Sequence, residues 1–144
     1  MNVHRSLALC LILLLPGCAS VGDHAARSCF HRDAAIETQI DYCQAVRVGD
    51  TLHISGTAGQ GEMASAVRSV YDRLKSTLEA NGLSFADVVK ETVYATDLDA
   101  FIRNKDIRKA YYGSTLPAAS WVQVQRLYAP SLVVEVELTA TYTR

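Results

Sequence analysis

The clearest periodic pattern of hydrophobic positions lies between residues 63 and 81. Its apolar side chains recur every three or four residues, which places them on one face of an α-helix. They are Met63, Val67, Val70, Tyr71, Leu74 and Leu78, and Gly82 follows as a C-terminal stop. A second, weaker stripe over residues 100–112 predicts another helix that ends at Gly113. We interpret both stripes as faces packed against a β-sheet.

Residues 132–142 alternate between two faces, as expected of a β-strand. One face carries Leu132, Val134, Val136, Leu138, Ala140 and Tyr142. The other carries Glu135 and Glu137 beside Val133, a mixture that indicates a partly covered surface such as a subunit interface. Shorter patterns predict further strands at 29–32, 42–48, 51–55, 88–96 and 121–127.

The order of these elements, β-β-α-β-α-β-β, predicts an α+β fold. In such a fold both helices lie on one face of a mixed sheet. Ser84 and Asp87 resemble a capping box before the 88–96 strand, and Asp97 or Asp99 can cap the second helix. The glycine-rich segment 56–61 is expected to be a loop. Its glycines do not have the spacing of a dinucleotide-binding fingerprint, so phosphate binding is not indicated.

The N-terminus has a different character from the rest of the chain. An apolar run of about nine residues after His4 and Arg5 is too short to cross a membrane, which takes roughly 20 residues, but suits a signal peptide. Leu15-Pro16-Gly17-Cys18 resembles a lipobox, in which Cys18 would be lipidated and anchor the protein to a membrane. Simple cleavage after Ala19 or Ser20, or an N-terminal helix that is retained, remains an alternative. The predicted organisation is a signal peptide at 1–18, a tether at 19–27 and one domain at 28–144. The predicted localisation is exported, in the periplasm or anchored as a lipoprotein.

Cys29 and Cys43 are the two cysteines that follow the predicted signal. In an oxidising compartment they would form one disulfide, and two buried thiols are the alternative. There is no Cys-x-x-Cys motif, and no group of His, Asp and Glu has convincing ligand spacing. The sequence therefore predicts neither a metal site nor a cofactor.

The net charge of −1 and the scattered Lys and Arg residues argue against binding to nucleic acid. Within 144 residues, 49% are hydrophobic, which fits a single domain with an ordinary core.

Three motifs resemble those of the RidA/YjgF/UK114 family, also called endoribonuclease L-PSP-like, and together they span residues 28–144 approximately. They are Ser84-Phe85-Ala86-Asp87-Val88-Val89-Lys90-Glu91-Thr92-Val93-Tyr94, Pro117-Ala118-Ala119-Ser120 and Leu132-Val133-Val134-Glu135-Val136-Glu137. Tyr42 and Ser55-Gly56 match the N-terminal part. The resemblance implies a chorismate-mutase-like fold and a homotrimer with small-molecule clefts between its subunits.

The same resemblance implies the roles of individual residues. Glu135 would position and activate water, while Tyr42 and the backbone amide of Gly56 would line the cleft. The arginine that binds the substrate carboxylate in the family's imine deaminases is here Ala119, and a frequent cysteine is here Trp121. Losing one partner of such an ion pair costs on the order of 2–5 kcal/mol, so binding of 2-imino acids should be weaker.

These substitutions favour a binder or atypical hydrolase for an uncharged or aromatic ligand, with Trp121 as a stacking wall. One alternative is an enamine or imine deaminase with altered substrate preference. Another is a noncatalytic interaction module of the cell envelope. A ribonuclease is disfavoured, because His31 and His53 have no evident partner and the chain lacks a basic surface.

Overall fold

The structure is a computed structural model that describes residues 25–142. The predicted signal peptide, the lipidation site at Cys18 and residues 19–24 of the predicted tether lie outside the described residues. Within 25–142, no helix is long and apolar enough to span a membrane.

One six-stranded sheet carries the fold, with the spatial order β1-β2-β3-β6-β4-β5. The strands are β1 (Arg27–Phe30), β2 (Ala45–Val48), β3 (Thr51–Gln60), β4 (Val88–Ala95), β5 (Ala118–Gln123) and β6 (Leu132–Thr141). The helices are α1 (Ala34–Gln39), α2 (Met63–Ala80), α3 (Leu98–Arg103) and α4 (Lys105–Tyr112), with a 3-10 turn at Phe85–Asp87. The β4–β5 pair is parallel and the other pairs are antiparallel. The α+β architecture with a mixed sheet is therefore confirmed.

Helix α2 lies where its apolar stripe predicts, and all six residues of the stripe are buried. It packs over β3 and β6, whose inward side chains include Leu52, Val134 and Val136 at 0% exposure. The capping box of Ser84 and Asp87 is present, and Asp97 caps α3 through a bond from the Ala100 amide. The sheet thus has a helix face, covered by α2, α3 and α4, and an open face on the other side.

Residues 56–60 of the segment predicted as a glycine-rich loop are instead part of β3, which runs to Gln60, and only Gly61 lies beyond the strand. Glycine within a strand often marks a close approach of another group to the backbone. A methyl group at Gly59 would lie 2.8 Å from the Ala66 carbonyl oxygen of α2. The loop prediction was wrong because glycine here serves helix–sheet packing rather than a turn.

Several smaller boundaries also differ from the predictions, and among them β1 lies at Arg27–Phe30 rather than 29–32 and β2 begins at Ala45 rather than at residue 42. The second predicted helix is divided at Asn104, whose side-chain amide donates to the Ala100 carbonyl and ends α3. Asn side chains compete for backbone groups in this way. The segment between β1 and β2, where no helix was predicted, contains the short helix α1, and β5 ends at Gln123 rather than at residue 127.

Candidate functional site

Glu135 lies on the open face near the middle of the sheet. On β6 it is paired with Ala58 of β3 on one side and Tyr94 of β4 on the other. Its side chain is half-buried, and burial, followed by the charge of Glu137, raises its pKa above the usual value. Among residues 25–142, no Lys, Arg or His forms a salt bridge with it. A carboxylate with a raised pKa and no cationic partner is a better proton acceptor than an ordinary glutamate.

Gly56 lies directly against this carboxylate. The β3–β6 pairing is irregular between Ile54 and Thr57, and the bulge brings the Gly56 backbone to the Glu135 side chain. Any side chain at position 56 would overlap the Glu135 carboxylate. Glycine is therefore needed here to let the carboxylate approach the backbone.

Tyr42 completes the group. Its hydroxyl donates to the Gly56 carbonyl oxygen at 3.2 Å, and burial raises the pKa of its phenol. Ser55 holds the neighbouring backbone by donating to the Cys43 carbonyl oxygen at 2.8 Å. The structure thus brings together Tyr42, Gly56 and Glu135, three of the five residues singled out for the cleft.

Ala119 and Trp121 lie elsewhere. On β5 they are in register with Glu91 and Val93, two buried residues of β4 on the helix face. The Trp121 ring meets Phe101 edge to face at 5.1 Å between centroids. Ala119 is exposed at the sheet edge. Within one chain, these two residues and Glu135 are on opposite faces, so a second subunit is needed for all of them to line one cleft.

The open face also carries a cavity of about 300 Å³ beside Glu137. Its polar lining includes His53, Ser55, Lys90 and Thr92. Glu137 accepts a hydrogen bond from the Tyr94 hydroxyl at 3.1 Å, and Lys90 donates to Ser120 at 2.8 Å. A concave polar surface thus continues from Glu135 along β6.

The family model described as Endoribonuclease L-PSP matches residues 32–142. The chain belongs to this family. A RutC family protein of Pyrococcus horikoshii is 32% identical over 108 residues, which cover 69% of this chain and 85% of the relative. A protein of Bos taurus named 2-iminobutanoate/2-iminopropanoate deaminase is 34% identical over 95 residues, covering 60% of this chain and 69% of that protein.

Solved structures of Endoribonuclease L-PSP family relatives agree with this assignment. The crystal structure of a YjgF/YER057c/UK114 family member from Mycobacterium tuberculosis matches with a TM-score of 0.74 at 31% identity, covering 81% of this chain and 99% of that chain. RidA from a Psychrobacter species matches with a TM-score of 0.65 at 34% identity, covering 69% of this chain and 87% of that chain.

A buried polar cluster on the helix face of this L-PSP family chain was not predicted from the sequence. Glu91 is fully buried and accepts hydrogen bonds from Tyr71 at 2.6 Å, Tyr112 at 2.8 Å and Arg108 at 2.5 Å. The Trp121 indole nitrogen lies 3.5 Å from the same carboxylate. Alternation along the predicted strand 88–96 places Glu91 on the same face as Val93 and Ala95, and this signal could have revealed it. The cluster engages the Trp121 nitrogen on the helix face, while the role of Trp121 as a ligand wall stays a prediction.

A second polar group surrounds the two cysteines. The structure joins Cys29 and Cys43 by a disulfide. The His31 ring nitrogen Nε2 lies 3.1 Å from Cys29 Sγ, and Nδ1 lies 3.0 Å from Glu37. From the sequence, His31 was predicted to have no partner, because α1 and its buried Glu37 were not predicted.

Proposed function

We propose that this chain is a small-molecule-binding member of its family whose cleft accepts an uncharged ligand. Glu135 serves in it as the base that activates water. The observation that most directly supports this proposal is the half-buried Glu135 carboxylate, which lies against Gly56 with a raised pKa and no cationic partner among the described residues.

The charge at this site argues against an anionic ligand. Glu135 and Glu137 lie on the same face of β6, and Ala119 replaces the arginine that the family resemblance predicts for carboxylate binding. A carboxylate ligand would meet repulsion from these glutamates in a partly desolvated cleft, since neither forms a salt bridge among the described residues and Lys90, on the same face, donates to Ser120. A neutral imine or enamine has no such penalty.

Hydrolysis of a neutral imine fits these groups chemically. Glu135 takes a proton from water as the water oxygen bonds to the imine carbon, and returns that proton to the nitrogen to give a neutral carbinolamine. Glu135 then takes the hydroxyl proton of the carbinolamine and passes it to the nitrogen as the C–N bond breaks, so that the amine leaves and a carbonyl compound forms. Tyr42 and the Gly56 backbone would hold the ligand beside the carboxylate.

The cleft is proposed to form between subunits of a homotrimer. The support is the half-buried open face, where Val133, Glu135 and Glu137 are only partly covered within one chain, and the position of Ala119 on the opposite side of the sheet. Sedimentation at several protein concentrations would measure the oligomer. A monomer at every concentration would remove the shared cleft.

Two hydrolysis assays test the proposed activity. In the first, 2-aminoacrylate is generated enzymatically and its decay is followed with wild type, Ala119→Arg and Ala118→Arg. We expect the decay rate with wild type to equal the uncatalysed rate, and the rate with Ala119→Arg to exceed it by about one to three powers of ten. Ala118→Arg is the matched control, because adjacent residues of a strand point to opposite faces and position 118 therefore faces away from position 119.

In the second assay, the substrate is a neutral imine made from an aromatic aldehyde and an alkylamine. We expect wild type to accelerate its hydrolysis and Glu135→Gln to lose that acceleration. If wild type instead accelerates decay of 2-aminoacrylate as fast as Ala119→Arg does, the chain is an imino acid deaminase. That alternative is favoured by the retained Glu135, Tyr42 and Gly56 and by the deaminase relatives.

We also propose that the protein is exported and anchored through Cys18, on the basis of the N-terminal sequence alone. Cell fractionation and metabolic labelling with a fatty acid test this. Cys18→Ser should abolish labelling and release the protein from the membrane fraction. Labelling that survives this substitution would rule out the lipobox.

A further inference from the structure

The cysteine region contains a donor set that is typical of metal binding. Cys29 and His31 lie at the end of β1 and just after it, and Cys43 lies just before β2. Their sulfur and ring nitrogen atoms all lie within 4.8 Å of one another. We refer to Cys29, His31 and Cys43 as the Cys–His group.

Glu37 orients the histidine of this group. Its carboxylate accepts hydrogen bonds from the amides of Arg32 at 3.0 Å, Asp33 at 2.9 Å and Gln44 at 3.1 Å, besides the contact with His31. Because three backbone amides already donate to this carboxylate, Glu37 is the acceptor at this position, and the Nδ1–H of His31 is the donor in the 3.0 Å contact.

The Nε2 atom of His31 consequently carries its lone pair on the side of the sulfurs. A carboxylate that holds one ring nitrogen of a histidine while the other nitrogen binds a metal is a recurrent arrangement in zinc proteins. Two thiolates and one imidazole are also ligands that Zn²⁺ prefers. A plain structural disulfide requires neither the histidine nor its buried carboxylate partner.

We propose that the reduced form of this protein binds one Zn²⁺ through Cys29, His31 and Cys43, and that the disulfide and the metal exclude each other. A dithiol reductant supplies two electrons and two protons to the Cys29–Cys43 bond and is itself oxidised to a disulfide. Zn²⁺ then displaces both thiol protons and leaves a site with no net charge. This inference replaces the sequence-based prediction that the chain has no metal site, and it is independent of the function proposed for Glu135.

The geometry requires only local adjustment. In a tetrahedral site, with Zn–S about 2.3 Å and Zn–N about 2.0 Å, ligand atoms lie about 3.5–3.8 Å apart. The observed distance of 3.1 Å between Cys29 Sγ and His31 Nε2 is close to this value. The Cα atoms of the two cysteines are 5.7 Å apart, so rotation about their side-chain bonds can separate the sulfurs. Three protein ligands leave a fourth position open on the solvent side, because Cys29 is exposed.

The experiment is a titration of the protein of residues 19–144 with Co²⁺, followed by displacement with Zn²⁺. Reduced wild type should develop the absorption of thiolate-to-cobalt charge transfer at one equivalent, and Zn²⁺ should abolish it with a Kd below about 1 μM. Oxidised wild type should show no such band. Cys29→Ser should lose the band. The reference is reduced wild type, which also lacks the disulfide, so that the two proteins differ only in the Cys29 ligand.

Histidine variants separate this site from adventitious binding by thiols. His31→Ala should weaken Zn²⁺ binding by at least about 100-fold, and Glu37→Gln by about 10- to 100-fold. His53→Ala, which changes an exposed histidine of β3, is the control and should bind as wild type does. Glu37→Gln removes an acceptor of backbone amides, so circular dichroism must first show that this variant is folded. If it is not folded, the comparison of His31→Ala with wild type decides the question. Equal binding by wild type and His31→Ala, or the absence of a charge-transfer band from reduced wild type, would overturn the proposal.

Discussion

The buried carboxylate of Glu91 allows a quantitative test of how the helix face is stabilised. One oxygen accepts hydrogen bonds from Tyr71 and Tyr112, while the other accepts from Arg108. In Glu91→Gln the amide oxygen can keep the two tyrosines, but its NH₂ group must then face the Arg108 guanidinium, donor against donor. The substitution also leaves the positive charge of Arg108 without its partner at a site where Glu91 is 0% and Arg108 is 7% exposed.

Breaking a buried ion pair by removing one partner typically costs about 3–5 kcal/mol. We therefore expect Glu91→Gln to lower the free energy of unfolding by about 3 kcal/mol or more. The control is Glu79→Gln, the same substitution in an exposed pair with Lys75 at 3.7 Å, which should cost less than about 0.5 kcal/mol.

Urea denaturation of both variants and wild type at one protein concentration measures the difference, since unfolding of an oligomer depends on concentration. A loss below about 1 kcal/mol for Glu91→Gln would refute the view that Arg108 depends on this carboxylate.

Three further predictions follow from the described contacts. Gly56→Ala should lower stability by about 1–3 kcal/mol and displace the Glu135 side chain, as measured by urea denaturation and a crystal structure; an unchanged Glu135 would contradict the contact. Glu135 has a raised pKa and Glu37 a lowered one, so the two carboxylates should give opposite pH dependences of stability. Relative to Glu135→Gln, the stability of wild type should fall as pH rises above 4.5, whereas relative to Glu37→Gln it should fall as pH drops below 4.5. Parallel slopes of the urea midpoints against pH would refute this. Cys43→Ser should cost on the order of 3 kcal/mol under oxidising conditions and much less under reducing conditions, and a thiol count of two in the unreduced protein of residues 19–144, which contains only Cys29 and Cys43, would contradict the disulfide.

Local periodicity was sufficient to predict the helices and strands that have a strong apolar face. The α2 stripe and the alternation of β6 both depend on side chains a few residues apart, and their burial follows the predicted pattern. The capping box before β4 is equally local, because Ser84 and Asp87 satisfy one another's neighbouring backbone groups. Elements without such a face, such as α1, were missed.

The candidate site could be inferred only in part. The motifs around Glu135, Tyr42 and Gly56 identify the residues, but no pattern in a single segment indicates that the Gly56 backbone meets the Glu135 carboxylate. That contact depends on a bulge in the pairing of β3 with β6. The position of Trp121 against Phe101 similarly depends on the parallel register of β5 with β4.

The amino-acid sequence by itself determined helix α2, the helical region that contains α3 and α4, most strands, the α+β class and the family, because these depend on short-range spacing and on motif residues. Only the tertiary structure decided that the glycines at 56 and 59 lie in a strand, that Glu91 is satisfied by three donors, and that His31 lies between Glu37 and two sulfurs. The physical reason is that close packing and hydrogen-bond partners are set by which distant segments become neighbours, and strand pairing across the sheet decides this.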